Sequence, residues 1–151
     1  WQYPVLLSFD YALEQMRLTG NASISFQQYQ GRQGAIIRFG DDQYSGFTLT
    51  EVPSDWSRRQ QLIIELNNLA KTPLPLTCRI HDIYHNQAYN DRFNQSWSLL
   101  PGRQYITIAL SDVVNAPQHR SLDSTQIAAL GCFTIKNLHH PAIFLQRIYL
   151  R

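Results

Sequence analysis

The chain has 151 residues, of which 44% are hydrophobic and 16% charged, and a formal net charge of +2. That length suffices for one domain with its own core, and two cysteines are too few for a disulfide framework. The arginines are scattered rather than clustered, which argues against a nucleic-acid-binding face. No apolar run is long enough to be read as a membrane-spanning helix, and no signal peptide is visible.

The dominant period along the chain is two. The segments 22–26, 35–39, 46–50, 61–66, 76–81, 96–100, 105–110, 131–135 and 142–150 read as strands bounded by turn residues, such as Gly20-Asn21, Gly40-Asp41-Asp42 and Pro101-Gly102. About nine short strands at this spacing predict an all-β, antiparallel sandwich or barrel. Helix is expected only as single turns, at 111–116 with Ser111 as N-cap and at 122–130 with Asp123 in that role. Residues 1–151 are read as a single β-sandwich domain. A start at Trp1 rather than Met reads as a processed chain or a domain excised from a larger protein.

Alternation assigns faces. Leu62, Ile64 and Leu66 share the inner face of one strand, with Ile63 and Glu65 opposite; Leu76, Cys78 and Ile80 point inward on another, with Thr77, Arg79 and His81 outward. Ile106, Ile108 and Leu110 are core residues of a third. Cys132 alternates against Phe133 and Ile135, so it is expected to face away from the core. Cys78 and Cys132 are then expected to be free thiols.

The stretch HDIYHNQAYNDRFNQSW, residues 81–97, concentrates chemistry. Three readings compete with that of a solvated polar loop. His81 and His85 as zinc ligands would need a bend, because four residues along a strand span roughly 13 Å. Asp82 and Asp91 as a hydrolytic carboxylate pair would need a cleft that perturbs a pKa, which small sandwiches seldom build. Sugar binding asks for flat aromatic rings beside donors and acceptors. Tyr84, Tyr89 and Trp97, interleaved with His81, Asp82, His85, Asn86, Asp91 and Arg92 and flanked by Arg79, supply both, so these residues form the candidate ligand-binding set. In the bland reading Phe93 and Trp97 are core residues and the charges are structural. Arg120 is expected to tie its turn to Asp123 or to the Asp91 region.

The residues also follow a recognisable order. Gly34, Tyr44-Ser-Gly46-Phe47, Asp55-Trp56 and Asn67 resemble carbohydrate-binding modules of the galactose-binding-like jelly-roll superfamily. The second half contains Asp82-x-x-His85-Asn86, Tyr89-x-Asp91-Arg92-Phe93-Asn94, Pro101-Gly102, Ala116-Pro117-x-x-Arg120 and Leu122-Asp123. It resembles more narrowly the sandwich domains joined to VanZ-like bacterial membrane proteins. The resemblance implies a jelly roll of eight to ten strands, an extracytoplasmic location (periplasm or cell surface), and non-catalytic recognition of a glycan or cell-envelope polysaccharide. It also implies contact with a membrane only through an attached domain. The isolated domain is expected to be a monomer. Members often hold a structural calcium between an acidic residue of the first strand and an Asp of the last. Asp10 matches the first, but the last strand reads FLQRIYL, with Gln146-Arg147 where acids are expected. No cofactor is therefore expected, with Arg147 taking the cation's place beside Asp10.

Overall fold

The computed structural model describes residues 4–10 and 15–151. The alternating segments become two antiparallel sheets packed face to face. In chain order the strands are β1 (Val5–Leu7), β2 (Leu18–Thr19), β3 (Ser23–Tyr29), β4 (Arg32–Arg38), β5 (Ser45–Leu49) and β6 (Gln61–Asn68). They continue as β7 (Leu74–Asp82), β8 (Phe93–Leu99), β9 (Gly102–Ala109), β10 (Ile127–Thr134) and β11 (Ala142–Leu150). One sheet runs β3-β4-β11-β6-β9, with β1 also paired to β11; the other runs β2-β5-β10-β7-β8. This is the expected all-β sandwich, with all nine predicted strands in place. The two added strands, β1 and β2, have three and two residues, too few to display a period.

The core lies between the sheets and follows the expected parity. Leu62, Ile64, Leu66, Leu76, Cys78, Ile80, Ile106 and Ile108 are all buried in one cluster. Trp56 joins them fully buried, its indole N–H donating to the Pro53 carbonyl at 2.7 Å, so the polar edge of the ring is satisfied.

Three expectations are corrected. The short helix α1 covers Leu110–Val114, and Ala109 rather than Ser111 is its N-cap, without a side-chain cap bond. Residues 122–130 do not form a helical turn. Asp123 accepts from the Thr125 amide and hydroxyl at 3.0 and 2.6 Å, closing a turn from which β10 starts at Ile127. Finally, Cys78 and Cys132 are not free: they face each other in the β7–β10 register and form a disulfide, with Cα atoms 4.0 Å apart. Cys132 belongs to the inner face with Leu130. Phe133 and Ile135, taken as its core counterparts, lie outside, and Ile135 is 57% exposed.

At the proposed cation position, Asp10 lies exposed in a bend after β1. Arg147 holds its guanidinium 4.5 Å from the centre of the Tyr149 ring.

Candidate functional site

The polar stretch 81–97 is the end of β7, a loop with a 3-10 turn at Tyr89–Asp91, and the start of β8. Arg120 organises it from a neighbouring loop. Its Nη1 and Nη2 donate to the two Asp82 carboxylate oxygens at 2.7 and 2.8 Å, and its Nε and Nη2 donate to those of Asp91 at 2.8 and 3.1 Å. Asp82 also accepts from the amides of Tyr84 and Asp123, and Asp91 from that of Asn86. One guanidinium thus pins both ends of the loop through forked, charge-assisted bonds. Burial would raise the Asp82 pKa, but the Arg120 donors and the Asp123 amide outweigh it and hold the carboxyl below its ordinary value. Arg120, then the Asn86 amide, hold Asp91 well below the usual carboxylate range. Both acids are ionised and fully engaged. Neither is placed to act as the protonated general acid that glycoside hydrolysis requires.

The two histidines also look inward. His85 Nδ1 lies 3.1 Å from the Asp91 carbonyl and 3.3 Å from its carboxylate, and His81 Nδ1 lies 3.2 Å from the Asp82 carbonyl. All these partners are acceptors, so each Nδ1 carries the proton. The rings stack with centroids 5.0 Å apart. They present faces to each other rather than nitrogens to a shared point. Among the described residues, no group of three or more His, Cys, Asp or Glu is placed to hold a metal ion.

The open space lies beside this network, over the outer face of the β2-β5-β10-β7-β8 sheet. There a groove of about 660 Å³ runs across the strands. Register builds its floor from two rows of outward residues. One row is Gly46, Phe133, Thr77 and Ser96; the other is Thr48, Gly131 and Arg79. Glycines make the depth. A Cβ at Gly131 would lie 3.2 Å from Arg79 Nε and 3.3 Å from Thr48 Oγ1, and one at Gly46 would lie 2.7 Å from the Phe133 Cβ.

Aromatic rings rise from the floor and the rim. Tyr44, 56% exposed, meets Phe133 edge to face at 5.5 Å, and Tyr89 is 70% exposed. Asn21 fixes the Tyr44 turn, donating to the Tyr44 carbonyl at 2.8 Å and accepting from the Gly46 amide at 2.9 Å. Asn94 does the same for the opposite rim: it donates to the Tyr89 carbonyl at 2.9 Å and accepts from Arg92 Nε at 2.8 Å. The Arg92 guanidinium lies 5.5 Å from the Tyr89 ring centre. Thr77 and Ser96 share a hydroxyl–hydroxyl bond of 2.7 Å between the rims.

Of the candidate residues, Arg79, Tyr89 and Arg92 line this groove. Asp82, His85 and Asp91 lie beneath the loop as its internal supports, with His81 stacked on His85. Tyr84 and Asn86 are exposed on the loop but do not line the groove, and Trp97 packs partly buried against the core. Sequence reasoning missed Tyr44, Phe133, Thr48 and Ser96. Tyr44 enters the sequence reading only as part of a motif, alternation assigns Phe133 to the core, and Thr48 and Ser96 lie on strands whose pairing the sequence does not give.

No protein-family model matches the sequence, and no curated protein matches it. Solved structures do. A family 11 carbohydrate-binding module from Clostridium thermocellum, solved in complex with a beta-1,3-1,4-mixed-linked tetrasaccharide, superposes with a TM-score of 0.74 at 15% identity, covering 98% of this chain and 94% of that one. A family 29 carbohydrate-binding module from Piromyces equi gives 0.56 at 11% identity, covering 99% and 89%. An exo-beta-agarase gives 0.78 at 15% identity; the match covers 98% of this chain, which spans only 24% of the agarase chain. The fold is therefore that of a carbohydrate-binding-module-like β-sandwich, and both modules match it along nearly their whole length.

Proposed function

We propose that the domain is a non-catalytic glycan-binding module that receives its ligand along the groove of the β2-β5-β10-β7-β8 sheet. The observation that carries this reading is the pairing of exposed rings, Tyr44 and Tyr89, with the hydrogen-bonding side chains of Thr77, Ser96, Arg79 and Arg92 in one open trough. Rings offer flat apolar surface to a pyranose face, and the polar groups meet its hydroxyls. Within the candidate set, Arg79, Tyr89 and Arg92 take the contact roles, and Asp82, His85 and Asp91 hold the loop that presents them. A water-filled groove gains little per hydrogen bond, so stacking supplies most of the affinity. A dissociation constant of about 10 µM to 1 mM follows, or roughly 4–7 kcal/mol.

The fold and the disulfide are consistent with an extracellular domain, because such bonds persist in oxidising compartments. With the resemblance to VanZ-linked sandwiches, this supports reading the chain as one domain of a larger cell-envelope protein.

The test is affinity electrophoresis and calorimetry against a polysaccharide panel that includes mixed-linked β-glucan and agarose. Binding is expected for at least one member, to persist in chelator, and to be lost in Tyr89→Ala. Silence across the panel would favour a spacer domain with no small ligand.

A further inference from the structure

Two guanidiniums in the groove have no counter-charge among the described residues. Among the described residues, none of the side chains lining it is acidic, and neither Arg79 nor Arg92 has a carboxylate within ion-pairing distance. Three other arginines differ in this respect. Arg120 is forked onto two aspartates, and Arg32 and Arg103 share Glu65. Arg79 makes no hydrogen bond to the described residues, and Arg92 uses its Nε on Asn94, leaving its terminal nitrogens without a carboxylate.

The two cations are also neighbours. Asn94, which holds Arg92, is the cross-strand partner of Arg79 on β7 and β8. Partial burial, then repulsion from Arg79, lowers the Arg92 pKa, with the Tyr89 and Tyr44 phenols acting in the opposite direction. Gly131 makes room for the Arg79 side chain, whose Nε would lie only 3.2 Å from a Cβ there. Like charges held together in a partly desolvated trough gain from a bound anion.

Building on the glycan-binding reading, we infer that the groove selects acidic polysaccharides, whose carboxylate or sulfate groups fall between Arg79 and Arg92 while neighbouring rings stack on Tyr44 or Tyr89. The fork of a guanidinium matches either oxyanion, and the rings require that the anion be carried on a sugar.

The experiment is calorimetric titration with matched pairs: oligogalacturonate against its methyl ester, and a sulfated galactan oligosaccharide against its desulfated form. At least one acidic member is expected to bind about tenfold or more tighter than its neutral partner, the effect of one charge-assisted hydrogen bond. That preference is expected to shrink with added salt and to collapse in Arg79→Gln and Arg92→Gln. Equal affinities within both pairs, or binding confined to neutral glucans, would overturn this inference and leave the glycan-binding reading standing. Silence towards every glycan would remove both. Poly-L-glutamate binding as tightly as the acidic glycans would also overturn it, since charge alone would then suffice. If Arg92→Gln fails to fold, Arg79→Gln decides, because Arg79 has no hydrogen bond to the described residues to lose.

Discussion

Arg120 shows how a single side chain holds a loop of charged groups in place. Removing it leaves the buried carboxylates of Asp82 and Asp91 facing each other without a cation. Because the Arg120 side chain is 28% exposed, water screens part of the loss, and Arg120→Ala is expected to cost about 2–4 kcal/mol in a denaturant titration. A cost near zero would mean that the carboxylates find other partners. The same residues set the acid response. Asp82 and Asp91 have folded pKa values below the ordinary 3.8, so their contribution is complete above that pH and is lost as pH falls through the folded values. His81 acts earlier. Burial, then repulsion from His85 and Arg79, lowers its pKa beneath 6.5 against the opposing bond to the Asp82 carbonyl, so the unfolded chain takes up its proton first. Stability is expected to begin falling as pH drops below about 6.5 and to fall again below about 4, and His81→Gln should remove the first step. A thermal melt series across pH checks both. Part of this network was legible. Arg120 was expected near Asp91, and the parity that places Leu76, Cys78 and Ile80 inside also points Asp82 inward at the end of the strand.

At the scale of the strand, β10 is where the sequence misled. Phe133 and Ile135 are the apolar residues that alternation assigns to a core. They are outside because Phe133 covers Gly46 and meets Tyr44, building the groove. A strand that lines an open groove carries apolar residues on both faces, and a parity rule without cross-strand pairing cannot tell them apart. That inversion sent Cys132 to the wrong face and hid the disulfide. By contrast, β7 and β9 face core and solvent as their alternation says, because one face of each is plainly more apolar, and β6 puts Leu62, Ile64 and Leu66 in the core although Ile63 and Glu65 opposite them are buried too. The correction has a measurable consequence. Thiol titration of the denatured, unreduced protein should find no free sulfhydryl. The bond links positions 54 residues apart, and on the chain-entropy account, breaking it should cost about 4 kcal/mol. Cys78→Ala/Cys132→Ala, compared with wild type by urea denaturation, tests that figure; a cost under about 1 kcal/mol would show that the unfolded chain was already restrained.

For the molecule as a whole, the sandwich gives each sheet one outer face, and the two faces treat charge differently. On the β3-β4-β11-β6-β9 sheet, Glu65 Oε1 accepts from Arg32 at 3.1 Å, Arg103 at 2.6 Å and the Tyr105 hydroxyl at 3.4 Å, so an acid gathers two of its cations. On the opposite sheet, Arg79 and Arg92 have no carboxylate partner among the described residues. Stability and binding should therefore be separable. Glu65→Gln removes the anion that Arg32 and Arg103 share. Because both arginines are about half exposed, it is expected to cost only about 1–2 kcal/mol. Its glycan affinity should match wild type, since the whole core lies between the mutation and the groove. Tyr89→Ala should do the reverse. The ring is largely solvent-exposed, so the melting temperature should barely move, while the affinity for any bound glycan should fall tenfold or more with the loss of a stacking surface. The double variant should show the sum of the two effects, because the sites share no partner. If Glu65→Gln weakened glycan binding as much as Tyr89→Ala, the ligand would have to contact the other sheet, and the groove would lose its assignment.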